Sequence, residues 1–228
     1  MSLSPQDLTA IGLSMKIAVC ATALSLPFGF ATAWFMVFRN FRGKVLLEVL
    51  VNLPLTLPPV VIGYFLLLLF GRHGWAGAAL RSAGIEFIFT WKAAVVASAT
   101  VGFPLLVRSI RLGMESIDRQ LIQASRSLGA AWYDTLATIV LPLSFRGMVA
   151  GSSLMFARSL GEFGATIIVA GNIPGLTQTI PLAIYDYASS PTGTSMALSL
   201  CAVSVTLSVA ILLLHEVIGK KLENGRSA

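Results

Sequence analysis

Apolar residues run in long blocks along this chain, broken by short polar stretches. The blocks cover about Leu8 to Phe38, Val45 to Phe70, Lys92 to Leu112, Leu143 to Ala170 and Met196 to Ile218. A helix needs about 20 apolar residues to cross a bilayer. The pattern therefore predicts an all-α, polytopic membrane protein with five transmembrane helices, the lipid bilayer being its solvent. The first block is longer than a bilayer requires, so its helix must tilt or project beyond the membrane. Lys16, near its start, can snorkel outward.

Two blocks carry interruptions. The second contains Pro54, Pro58 and Pro59. Each proline removes a backbone donor and crowds the preceding turn, and such breaks survive in a membrane only where protein or a cavity satisfies the freed carbonyls. Two readings stand: a kinked helix lining a path, or a kink set by packing against a neighbour. The third block contains Pro104 and ends at Arg108 and Arg111. Between them, Gly71 to Trp91 mixes glycines with charge and predicts a short interfacial helix and turns, with His73 in an exposed loop. Gly171 to Ser195 is rich in Pro, Gly, Ser and Thr. Its one apolar patch, Thr179 to Tyr187, is too short to span.

The longest polar interruption, between the third and fourth blocks, is organised. Ser116 can cap a helix, with Asp118 in the favourable first turn. Ile117, Leu121, Ala124 and Leu128 share one helical face, while Asp118, Arg119, Gln123 and Arg126 point elsewhere. Gly129 follows where a left-handed C-terminal cap wants glycine. A second helical stretch puts Trp132, Leu136 and Ile139 on one side, and Pro142 suits the first turn of the next span. Such a hairpin can dock another protein or lie on the lipid surface.

Composition agrees with the pattern. Of 228 residues, 56% are hydrophobic and 11% charged, against about 25% charged in a soluble domain. The net charge of +6 calls for no nucleic acid, because Lys and Arg collect in cytoplasmic loops. Eleven of them (Arg39, Arg42, Lys44, Arg108, Arg111, Arg119, Arg126, Arg146, Lys220, Lys221 and Arg226) fall on one side. Arg72, Arg81 and Lys92 fall on the other. The first side is the cytoplasm, so the N-terminus is expected outside, the C-terminus inside, and the polar hairpin faces ATP. The start, MSLSPQDLTAIGLS, has no charged n-region and no cleavage site, so the first block is expected to remain as a span. Cys20 and Cys201 lie in apolar blocks as small buried hydrophobes, and no spacing suggests a metal site or a disulfide. There is no Ser/His/Asp constellation, and His215 is expected near the interface. No stretch fits G-x-x-x-x-G-K-[ST], so the chain is expected to bind no ATP and to act as no enzyme.

Arg158 and Glu162 sit four apart in the fourth block, within reach of each other on a helix face. Charges in a membrane are costly and either pair or line a path. They form a gate or anion contact, or else a self-satisfied brace; the net charge of zero makes the pair a poor site for a dianion.

The hairpin resembles the cytoplasmic signature of ABC importer permeases: Glu-Ala-Ala, three residues, Gly, nine residues, Ile, one residue, Leu-Pro. Here Gln123-Ala124-Ser125 leads, Gly129 is the glycine, Ile139 the isoleucine, and Leu141-Pro142 closes it. Gln123 replaces the acid, keeping its length and an acceptor without the charge, and Ser125 replaces the second alanine. LPLTLPPVVIGYFLLLLFGRHG (residues 53–74), FARSLGEFGAT (156–166) and NIPGLTQTIPLAIY (172–185) resemble the molybdate permease family, with sulfate and thiosulfate permeases close to it.

The resemblance implies a single permease domain over 1–228 with the type I ABC importer permease fold, in a bacterial inner membrane. It also implies that residues 116–142 form a loop coupling the chain to an ATPase through Gln123, Ala124, Ser125, Arg126, Leu128, Gly129, Ala130, Ile139, Leu141 and Pro142. Two copies of that ATPase would hold the ATP and Mg, this chain binding no cofactor or metal. A periplasmic molybdate-binding protein would deliver the anion. Five spans are few to enclose a path, so a symmetric homodimer working by alternating access is expected. Sulfate, thiosulfate and tungstate are the alternative cargoes. An ion-gradient transporter and a non-transporting scaffold are the alternative classes.

Overall fold

The computed structural model describes residues 3–224, apart from the side chains of His215, Ile218 and residues 220–224. Lys220, Lys221 and Arg226, counted above for orientation, and the expected interfacial His215 thus lie outside the described groups. Among the described residues the chain is helical, without strands.

Helix α1 (Pro5–Phe38) has 34 residues, about 51 Å at 1.5 Å per residue. It opens on a reciprocal cap. Ser4 Oγ accepts from the Asp7 amide at 3.2 Å, and Asp7 Oδ2 accepts from the Ser4 amide at 2.7 Å. Asp7 is buried and also accepts from Tyr187 Oη at 2.9 Å. The Ile180 amide donates to Ser14 Oγ at 2.8 Å. These bonds fasten α10 (Ile180–Ala188) to the start of α1, and burial of the phenol, then its Asp7 contact, raise the Tyr187 pKa. Lys16 is exposed, and its ammonium lies 3.8 Å over the Trp91 ring in a cation–π contact.

The core is α1, α5 (Trp91–Glu115) and α8 (Leu141–Leu160). Helix α5 is the most enclosed, and small residues let its backbone approach that of α8. A Cβ on Gly147 would sit 2.7 Å from the Ser109 carbonyl and 3.1 Å from Gly113 Cα, and one on Gly102 would sit 2.9 Å from Met155 Cγ. Helix α11 (Thr194–Asn224) covers the outside.

Two expected spans are interrupted. In the second, Pro54 sits inside α2 (Lys44–Thr56) without ending it, whereas Pro58-Pro59 separates α2 from α3 (Pro59–Phe70). A residue before proline avoids the helical region, and Leu57 and Pro58 are accordingly extended, at ψ 143 and 134. The two axes differ by 113°, far beyond a kink. In the fourth, α8 ends at Leu160, and Gly161 to Phe163 turn the chain before the short α9 (Gly164–Val169). Among the described residues four helices are long and apolar enough to cross a membrane, and α2 with α3 counts as a fifth if taken as one broken span. Helix α4 (Trp75–Ser82) supplies the expected short helix of the 71–91 stretch. Helix α10, with nine residues, reaches only about 14 Å.

Candidate coupling loop and membrane ion pair

Helix α6 (Arg119–Ser127) occupies the polar hairpin. Its cap is not Ser116, because α5 runs on to Glu115 and Ser116 Oγ bonds back to the Gly113 carbonyl at 2.9 Å. Asp118 takes the place, accepting from the Gln120 amide at 2.8 Å. The helix ends as the glycine spacing predicts. Gly129 has φ +86, its amide donates to the Arg126 carbonyl at 3.0 Å, and the Ala130 amide donates to Ser125 at 3.1 Å. These are the paired bonds of a Schellman motif. A Cβ on Gly129 would meet nothing within 4 Å, so the backbone, not space, requires glycine there.

None of α6 is buried. Ile117 is buried just before it, but Leu121 is 48% exposed and Leu128 88% exposed, and Gln123 and Ala124 are also exposed. The inward side is made by Ile122, which packs on the core, and by Ser125 Oγ, 3.0 Å from Thr135 Oγ1.

The second helical stretch is α7 (Trp132–Thr135), and it is the beginning of the fourth span rather than a separate element. A π-helical turn, Leu136–Val140, joins it to α8 without interruption, giving 29 residues from Trp132 to Leu160. The wider turn absorbs the amide missing at Pro142: the Leu141 amide reaches back five residues to the Leu136 carbonyl. Ile139 packs on the core, while Leu141 and Pro142 face outward. The Trp132 ring lies 6.1 Å from that of Trp34, tilted by 44°, near the end of α1.

Arg158 and Glu162 lie at the other end of α8. They meet across the end of the helix, not along one face: Arg158 is in the last turn and Glu162 in the bend that follows. Arg158 Nη1 is 2.8 Å from Glu162 Oε2, with the Glu162 side chain 1% exposed. That approach is off the hydrogen-bonding direction, so the contact is Coulombic. The other oxygen, Oε1, accepts from the Ala165 amide at 2.8 Å and holds the first turn of α9.

The two breaks are brought together. A Cβ on Gly164 would sit 3.0 Å from Pro59 Cβ, and one on Gly63 would sit 2.8 Å from the Ala165 carbonyl. Pro59 and the turn after the Glu162 bend therefore face each other. A cluster the sequence reading missed is Arg111, whose Nη1 is 2.8 Å from Glu48 Oε1 and whose Nε is 2.7 Å from Glu115 Oε1. The i, i+4 spacing of Arg111 and Glu115 is a visible signal; Glu48 comes from another helix and leaves none.

Residues 25–224 match the family model described as "binding-protein-dependent transport system inner membrane component". The chain is 48% identical over 217 residues to the molybdenum transport system permease protein of Escherichia coli K12, covering 95% of each. It is 37% identical over 177 residues to a sulfate transport system permease protein of Synechococcus elongatus, covering 78% of this chain and 62% of that one. Among solved structures it is similar to a bacterial alginate ABC transporter in complex with a pentasaccharide-bound periplasmic protein. That likeness has a TM-score of 0.77 at 15% identity over 96% of this chain and 80% of that one, and it concerns the fold. The chain belongs to the inner membrane components of binding-protein-dependent transport systems.

Proposed function

We propose that this chain is the permease of an ATP-driven importer that carries molybdate across the inner membrane. One observation carries the coupling role: α6 stands off the bundle with Leu121 and Leu128 uncovered, while its ends lead directly into α5 and the Trp132–Leu160 helix. A push on α6 is thereby a push on two of the three core helices. The residues that meet the partner are the uncovered ones, Gln123, Ala124, Arg126, Leu128 and Gly129, while Ser125 and Ile139 fix the hairpin to the bundle and Ala130, Leu141 and Pro142 lead into the fourth span. The partner is an ATPase, two copies of which hold ATP and Mg beneath a homodimer of this chain. Gln123 carries no charge, so shape and apolar contact supply most of the grip.

The hairpin faces the cytoplasm and the N-terminus the outside, as the Lys and Arg asymmetry supports. ATP binding closes the ATPase pair and rocks the spans to open outward. A periplasmic protein delivers the anion, and hydrolysis returns the inward-facing state. Identity to the E. coli molybdenum permease supports molybdate as the cargo. Likeness to a sulfate permease makes sulfate the competitor to test.

The test is complementation. Cells lacking their molybdate permease receive this chain with its ATPase and binding protein, and labelled molybdate uptake is measured against excess sulfate or tungstate. Uptake that survives sulfate is expected. Restored sulfate uptake without molybdate uptake would overturn the cargo, and no ATP-dependent uptake of any oxyanion would overturn the class.

A further inference from the structure

Beneath α6 lies a cavity of about 480 Å³, between that helix and the ends of α1, α2 and α5. Its floor is apolar, from Val37, Phe38, Met114 and Ile122, and Lys44, Arg119 and Arg126 stand at its rim. A smaller cavity adjoins it through Phe38, Ile122 and Arg126 and adds Arg39, Trp34 and Trp132. Glu115 is the single carboxylate on the larger cavity, and it is held by Arg111. Among the described residues none of Lys44, Arg119, Arg126 and Arg39 has an ion-pair partner. The helix dipole favours Arg126, in the last turn of α6, and Arg39, which caps the end of α1 and lies 5.6 Å over the Trp34 ring, but it does not account for Lys44 and Arg119. Lys44 and Arg119 are the first residues of α2 and α6, where the helix dipole disfavours a cation.

The cavity lies at one end of the spanning helices. Helix α1 ends at Phe38 and α5 at Glu115, and Trp34 and Trp132 pack together there, aromatic residues being enriched at membrane boundaries. A cation cluster above an apolar floor at that level suits an anionic amphiphile. From this convergence we infer that the cavity binds the phosphate headgroup of an anionic phospholipid, with Lys44 and Arg119 as its charged ligands and the acyl chains leaving along Val37 and Phe38. A lipid seated there supports α6 from the membrane side and sets how firmly it is held against a push from outside. The consequence for transport rests on the coupling role proposed above; the binding does not.

The probe is dioleoylphosphatidylglycerol added to the purified chain in detergent, with native mass spectrometry counting retained lipid. Dioleoylphosphatidylcholine and inorganic phosphate serve as the other arms. Retention of the anionic lipid over the zwitterionic one is expected, reduced about thirtyfold in K44Q/R119Q, with phosphate neither retained nor competing. Equal retention of both lipids, or equal retention by the variant, marks ordinary annular lipid and overturns the site. Displacement of the lipid by phosphate assigns it to a free anion, and displacement by the purified ATPase assigns it to that protein; either overturns the lipid. Should K44Q/R119Q fail to fold, L46Q, on the uncovered side of α2, reports the effect of a polar change alone. Loss of retention there too would overturn the assignment. The binding measurement needs no transport, so it stands or falls apart from the coupling role.

Discussion

At the scale of single residues, Gly129 separates backbone from space. Its φ of +86 lies in the left-handed region, and nothing crowds the position a Cβ would take. A left-handed conformation costs an ordinary L-residue roughly 1–2 kcal/mol, more if β-branched, and little for asparagine. Gly129→Asn is therefore expected to keep molybdate uptake, and Gly129→Val to lose most of it while still inserting in the membrane. Uptake and ATP turnover, scaled to protein in the membrane, check this. Normal uptake by Gly129→Val would remove the docking role. The glycine was legible because its requirement is local. The cap of the same helix was not: Ser116 and Asp118 are both good caps, and the choice turns on how far α5 runs. The Lys16 contact was hidden for a related reason, since Trp91 is distant in sequence and only the fold sets it beneath the ammonium.

At the scale of elements, glycines decide how closely helices meet. Gly147 faces the backbone of α5, where no side chain can move aside. Gly147→Leu must part α5 and α8, with an expected loss of roughly 1–3 kcal/mol or more, measured as a lower melting temperature in detergent. Gly12→Leu, with nothing within 4 Å, is the control and should leave it unchanged. Glu162 joins two elements. Glu162→Gln can still accept from the Ala165 amide, but it leaves Arg158 without its counter-charge. The expected result is weaker assembly or gating with an unaltered preference between molybdate and sulfate. A changed preference would place the pair in the anion path. Hydropathy located the spanning helices well, because it reports the solvent each residue meets. It carried little about direction. The 143–170 block is apolar on both sides of Gly161-Glu162-Phe163, so hydropathy does not show the turn there, and it does not separate Pro54, which a helix contains, from Pro58-Pro59, which breaks one.

At the scale of the whole molecule the question is what drives transport. A carrier run by an ion gradient needs a carboxylate or similar group in its spans that is free to take up and release the ion. Glu48 and Glu115 both hold Arg111, and Glu162 is divided between Arg158 and the Ala165 amide. Asp7 is tied by Ser4 and Tyr187 at the far end of α1. Each of these acids is engaged by a partner, which is a poor state from which to exchange a driving ion. The uncovered surface on α6, by contrast, leads straight into the core. Energy is thus expected to enter mechanically, through a partner. In proteoliposomes holding the complete importer and its binding protein, molybdate should accumulate when ATP is supplied on the ATPase side. An imposed proton or sodium gradient without ATP should give none. Gradient-driven accumulation in the absence of nucleotide would mean that one of these engaged carboxylates does exchange, and Glu162, the most deeply buried of the paired ones, would be the first to replace.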